Sequence, residues 1–100
     1  MKVVFSPKAQ EKLQELSDYL LKKWNLKVKN DFLEKLKAKI KQIESFPESC
    51  PKTKKIDGLY KCVITVQTTL YYRVDPQNDI IEIVVLFDTR QNPKKLKKFK

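Results

Sequence analysis

Of the 22 basic residues in this chain of 100, only Arg73 and Arg90 are arginine; the rest are lysine. A guanidinium is a planar, permanently charged fork that matches a phosphate or carboxylate with two bonds at once, which an ammonium cannot do. Lys54, Lys55 and Lys61 precede Arg73 in the same half of the chain. If both arginines lie on one open edge of a sheet beside these lysines, the cluster can grip a phosphate backbone, giving affinity without sequence choice. Tyr60, Tyr71 and Tyr72 supply rings able to stack on bases. Each feature also has a plain structural reading. If Asp75 pairs with Ile80 across a turn, Arg73 falls opposite Glu82 and the two form a cross-strand ion pair. Arg90 can be a free surface arginine following a strand, and strand tyrosines mostly serve as packing.

Other chemistries are excluded cheaply. The chain has no histidine, which removes Ser-His-Asp and Cys-His nucleophiles and histidine-based metal sites. Gly58 is the only glycine, so a glycine-rich phosphate loop is excluded. The carboxylates fall mostly on helix exteriors, so no pair stands out for glycosidase-like work. No metal or cofactor is expected, and any enzyme built here works with Lys, Arg, Tyr and carboxylates. Cys50 and Cys62 are too far apart for a C-x-x-C metal or redox pair. Lys2 leads into a short β-like run rather than an apolar leader, so no signal peptide is expected. No apolar stretch is long enough to span a bilayer. These features together point to the reducing cytoplasm, where a disulfide is not expected.

The elements that must carry these side chains follow from periodicity. Lys2 to Phe5 reads as a short strand. Ser6-Pro7 is a helix start, with Ser as cap and Pro where no N–H is needed. Ala9, Leu13, Leu16 and Leu20 then recur at helical spacing, to about Trp24. Asn25 and Leu26 form a tight connection. Val28, Phe32, Leu36, Ile40 and Ile43 make the stripe of a second helix, with lysines mostly opposite. Pro47 and Pro51 end the helical region. A loop through Asp57-Gly58 leads to strands at Tyr60–Val66, Thr68–Asp75 and Ile80–Asp88. The expected fold is therefore α+β, with order β-α-α-β-β-β and a helical hairpin packed on one side of a small antiparallel sheet. In the last strand, simple alternation puts Ile81, Ile83, Val85 and Phe87 on one face and Val84 and Leu86 on the other. A strand apolar on both faces is covered on both, either by the chain's own loop or tail or by a partner.

The net charge of +10 fits either a solvated lysine surface or a polyanionic partner such as nucleic acid, a ribosome or an acidic protein. A membrane surface fits less well, for want of a basic helix with a long bare apolar face. A chain this short buries only about two-thirds of its unfolded surface, so the core is expected to be thin.

Three strings sit in order on this frame: Val4-Phe5-Ser6-Pro7, Leu70-Tyr71-Tyr72-Arg73-Val74-Asp75, and Val85-Leu86-Phe87-Asp88-Thr89-Arg90-Gln91-Asn92-Pro93. Together with the small size and basic charge, they resemble the RelE/ParE superfamily of type II toxin–antitoxin toxins over nearly the whole chain. The resemblance implies a toxin domain over residues 1–93, followed by a basic tail over 94–100. It also implies a cognate antitoxin that wraps the toxin with a largely helical, often acidic segment, giving a hetero-oligomer. That partner would suit the positive charge and an apolar face at Val84 and Leu86.

The superfamily's effect divides. RelE-like members enter the ribosome and cut mRNA; ParE-like members inhibit DNA gyrase. For the first activity the resemblance implies catalytic roles for Lys54 or Lys55, Arg73 and Arg90. For a target contact it implies Tyr60, Lys61, Arg73 and Arg90. RelE-like members also carry a Tyr, or a His and Tyr, near the C-terminus for proton transfer. Here the only aromatic after Arg90 is Phe99, which favours the ParE-like reading. An mRNA endonuclease remains the first alternative, and an inactive homologue or basic RNA-binding module the second.

Overall fold

A computed structural model describes residues 1–54 and 56–90. The element order is β1 (Lys2–Phe5), α1 (Pro7–Lys23), α2 (Leu26–Ser45), β2 (Tyr60–Val63), β3 (Thr68–Asp75) and β4 (Ile80–Asp88). Both helices start where their caps dictate. Ser6 Oγ accepts the Ala9 N–H at 3.0 Å, and Asn25 Oδ1 accepts the Val28 N–H at 2.9 Å. Asn25 thus ends the connection and begins α2 at once.

The four strands lie in the order β1-β4-β3-β2. The β2-β3-β4 meander is antiparallel as expected, but β1 joins it parallel to β4, so the sheet is mixed. The stripes of the two helices close over one face of this sheet. Ala9, Leu16, Leu20, Phe32, Leu36 and Ile43 pack there on Cys62, Leu70, Tyr72, Ile81 and Ile83.

The strand β2 is shorter than its composition predicts. Beyond Val63 the Thr65 hydroxyl accepts the N–H groups of Gln67 and Thr68, at 3.1 and 3.0 Å. This local bond bends the chain out of the ladder and makes the turn into β3.

The expected alternation of β4 also fails, at one residue. Tyr71 pairs with Val85 but Tyr72 pairs with Ile83, so Val84 is an extra residue, a β-bulge. The bulge reverses the phase of the strand. Leu86 joins Ile81 and Ile83 in the helix-side core, only 2% exposed. Val85 and Phe87 instead turn to the other face, where they pack with Leu59 and Tyr71. Leu86 therefore does not stand on the helix-free face with Val84. Ile56 and Leu59, from the loop before β2, pack on that second cluster, so part of its cover is the chain's own. The bulge is tied in place: Ser6 Oγ donates to the Val84 carbonyl at 2.8 Å, and the Ser6 N–H to the Ile83 carbonyl at 2.9 Å.

Candidate functional site

Among the described residues, Arg73 and Arg90 do not come together. Arg73 lies within β3, an inner strand, and so is not on an open edge, while Arg90 lies two residues beyond the end of β4, the other inner strand. Arg73 stands opposite Glu82, whereas Asp88, just before Arg90, stands opposite Thr68. At about 3.3 Å per residue, the two positions are about 17 Å apart along the sheet. Lys54 is exposed on the loop before β2, and Lys61 is exposed on β2 itself. Lys55 and the tail from residue 91 onward, including Phe99, lie outside the described residues.

The register expected for Arg73 is present, opposite Glu82. Arg73 is exposed and Glu82 half-buried, yet no ion pair joins them among the described residues. In high dielectric such a pair gains little, so the guanidinium is left to solvent.

Arg90 is the opposite case. Its Nε donates to Asp88 Oδ1 at 3.0 Å and its Nη2 to Asp88 Oδ2 at 2.7 Å. The Arg90 N–H also donates to Asp88 Oδ1, at 2.9 Å. The Asp88 side chain is 1% exposed, and that of Arg90 19%. The Thr68 hydroxyl donates to the same carboxylate, and the Tyr19 hydroxyl donates to the Arg90 carbonyl at 3.4 Å. Burial pulls the Asp88 carboxyl upward. The hydrogen bonds from Arg90 and Thr68, with the charge of Arg90, outweigh burial and hold it below the ordinary value of 3.8. Arg90 is reciprocally pushed up, above all by its bond to Asp88. The expectation of a free surface arginine is thus replaced by a bidentate pair. The sequence carries the signal, since Asp88 and Arg90 are two residues apart, but only β4's burial of Asp88 makes it a constraint.

The three tyrosines are all inside. Tyr60 stacks on Tyr72 with ring centroids 5.0 Å apart, and the Lys52 ammonium lies 5.6 Å from the Tyr60 centroid. The Tyr72 hydroxyl donates to the Pro47 carbonyl at 2.8 Å. Tyr71 meets Phe87 edge to face at 6.1 Å. Burial raises the Tyr71 hydroxyl above its ordinary value, and burial together with Cys50 raises that of Tyr72. None of these rings presents an open face for a base, so Tyr60 is core and not a stacking platform. Cys50 and Cys62, distant in sequence, face one another in that same core as free thiols.

The polar surface near Arg90 opens into a cleft of about 440 Å³ between α2 and the β2–β3 turn, where Lys35 and Asp31 face Gln67 and Arg90. A second, more apolar cleft of about 640 Å³ lies at the other end of α2, lined by Phe46, Pro47, Val74 and Pro76 with Met1.

The family model for the ParE toxin of the type II toxin–antitoxin system parDE matches residues 3–93. The chain belongs to the ParE toxin family. Its fold is that of solved RelE/ParE-superfamily structures. The chromosomal ParDE system from P. aeruginosa has a chain with TM-score 0.72 at 12% identity, covering 88% of this chain and 95% of that one. The YoeB/ParE toxin from Agrobacterium tumefaciens gives 0.65 at 16%, over 88% and 98%. A chain of the intact E. coli RelBE toxin–antitoxin complex gives 0.63 at 17%, over 87% and 94%. No curated relative matches the sequence. At such identities the neighbours bear on fold alone. Among the described residues no helix of this ParE-family toxin is long and apolar enough to cross a membrane.

Proposed function

We propose that this ParE-family toxin acts in the cytoplasm as a binding inhibitor of DNA gyrase rather than as a ribonuclease, and that a cognate antitoxin neutralises it in a hetero-oligomer. The observation that carries the reading is the Asp88–Arg90 pair. RNA cleavage through the 2′-hydroxyl needs a cation free for the phosphate and a group that moves a proton. Arg90 already spends its fork on a buried carboxylate, and Tyr60, Tyr71 and Tyr72 are packed in the core. A binding inhibitor needs neither group.

For the antitoxin, the helix-free face around Val84 is the surface offered, bounded by the exposed Lys61 and Arg73. Leu86 takes no part, being inside. An acidic helical segment would meet both an apolar patch and positive charge there.

The test is to induce the protein alone and map mRNA 5′ ends within minutes, alongside a supercoiling assay with purified gyrase. Growth arrest without new ends, and loss of supercoiling, are expected. New cuts inside translated frames would overturn the reading. A second reading, the ribosome-dependent nuclease, draws on the exposed Arg73, without an ion pair among the described residues, and on the exposed Lys54. It requires Arg73→Ala and Lys54→Ala to abolish such cuts.

A further inference from the structure

At the end of the molecule where α1 passes into α2, large apolar side chains point to solvent. Leu21, Trp24 and Leu26 are 44%, 56% and 57% exposed. None belongs to the stripe that holds the fold: α1's contribution ends at Leu20 and α2's begins at Val28. On the β2–β3 turn, Val66 is 93% exposed. Val66 and Val28 line the same cleft of about 440 Å³, and Tyr19 ties the last turns of α1 to Arg90 at that end. Four of the six large hydrophobics exposed among the described residues thus lie either where α1 passes into α2 or on the turn that shares a cleft with Val28.

Covering this apolar area removes it from water, a gain that grows with the area covered. Trp is among the residue types enriched where a few side chains carry most of a binding energy. Along the α1–α2 connection itself the charge has one sign. From Tyr19 to Asn30 the chain has no carboxylate and carries Lys22, Lys23, Lys27 and Lys29. Such a rim steers an acidic partner and rejects basic ones. One feature favours a protein over a lipid or nucleic-acid surface: the cleft lined by Val66 and Val28 holds both signs of charge, Asp31 with Lys35 and Arg90, which suits the mixed polar surface of a protein better than a row of phosphates.

We propose that the α1–α2 turn, with the β2–β3 turn that shares a cleft with Val28, docks onto an acidic surface of the toxin's protein target, with Trp24 as anchor. The inference rests on the gyrase reading for the identity of that target. The surface is separate from the helix-free sheet face assigned above to the antitoxin.

The test compares wild type, Trp24→Ala and the double variant Lys22→Glu/Lys23→Glu in three measurements: growth arrest on induction, binding to immobilised gyrase, and thermal melting. Both variants are expected to melt like wild type, because the substituted side chains are exposed. Both should bind gyrase about tenfold more weakly or worse and lose growth arrest. The charge variant should also lose the salt dependence of association. Folded variants that still arrest growth and bind gyrase like wild type overturn the docking surface. A wild type that arrests growth without touching gyrase overturns the gyrase reading alone; the surface then stands if both variants abolish arrest and falls if they keep it. Binding of wild type to phosphatidylglycerol vesicles that Trp24→Ala removes, with gyrase binding unchanged, would reassign the surface to lipid and overturn the proposal.

Discussion

Asp88 and Arg90, two residues apart where β4 ends, hold each other through both carboxylate oxygens, with Thr68 completing the set from the neighbouring strand. The pair joins the chemistry expected of Arg90 to the packing of β4. Removing either partner strands the other. Breaking a buried pair this way costs about 3–5 kcal/mol, and partial exposure of Arg90 lowers that to about 2 kcal/mol. Arg90→Ala and Asp88→Asn are each expected to lower the urea midpoint accordingly. Arg73→Ala, at an exposed position with no ion pair among the described residues, should change stability by less than about 0.5 kcal/mol.

The same pair sets a dependence on acid. The Asp88 pKa is depressed in the folded state. Its stabilising contribution is therefore present above the unfolded value near 3.8 and is lost as pH falls through the folded value. Denaturation midpoints measured from pH 6 downward should fall more steeply below about pH 4 in wild type than in Asp88→Asn. Equal slopes would mean the carboxylate is not held by its partners.

Cys62 gives the converse. Burial, then the hydrogen bond with Cys50, push its thiol from 9.0 up to about 12, against a smaller pull from Lys39. A raised folded pKa contributes stability that is complete below the unfolded value and lost as pH rises towards the folded one. Wild type should therefore lose stability between pH 9.0 and about 12, and Cys62→Ala should lose less over the same range. At pH 8 a thiol reagent should leave Cys62 unmodified until urea is added.

Ser6 serves two elements. It caps α1 through Ala9 and donates to the carbonyl of the bulged Val84. Ser6→Ala is expected to cost about 1–2 kcal/mol in thermal or urea unfolding. Ser6→Asp can cap but cannot donate to the Val84 carbonyl, so it should recover only part of that loss. Full recovery would show that the bond to the bulge contributes nothing.

Much of the frame was legible from local rules. Ser6-Pro7 and Asn25 start helices because their side chains take up N–H groups within three residues. The stripes Ala9-Leu13-Leu16-Leu20 and Phe32-Leu36-Ile43 could only be helical, and Asp75 opposite Ile80 followed from a four-residue turn, which brought Arg73 opposite Glu82. The candidate site was less legible. Residue type singled out Arg73 and Arg90, but strand order and register, which put Arg73 within β3 and Arg90 just past the end of β4, are properties of the whole sheet. Trp24 and Val66 were missed as surface features because their exposure depends on where the stripes of both helices end and where β2 bends.

The order β-α-α-β-β-β, the caps, the helix stripes and the hairpin register can all be read from the residues alone, because they rest on contacts between near neighbours or on turn length, and the resemblance to toxins rests on three short strings. Only the tertiary structure decided that β1 lies parallel beside β4, that Val84 bulges and sends Leu86 into the core, that Asp88 is buried and so binds Arg90, and that Cys50 meets Cys62. The physical reason is common to all four. Each depends on which strand lies beside which and which face is closed, and these are settled when the core as a whole is packed.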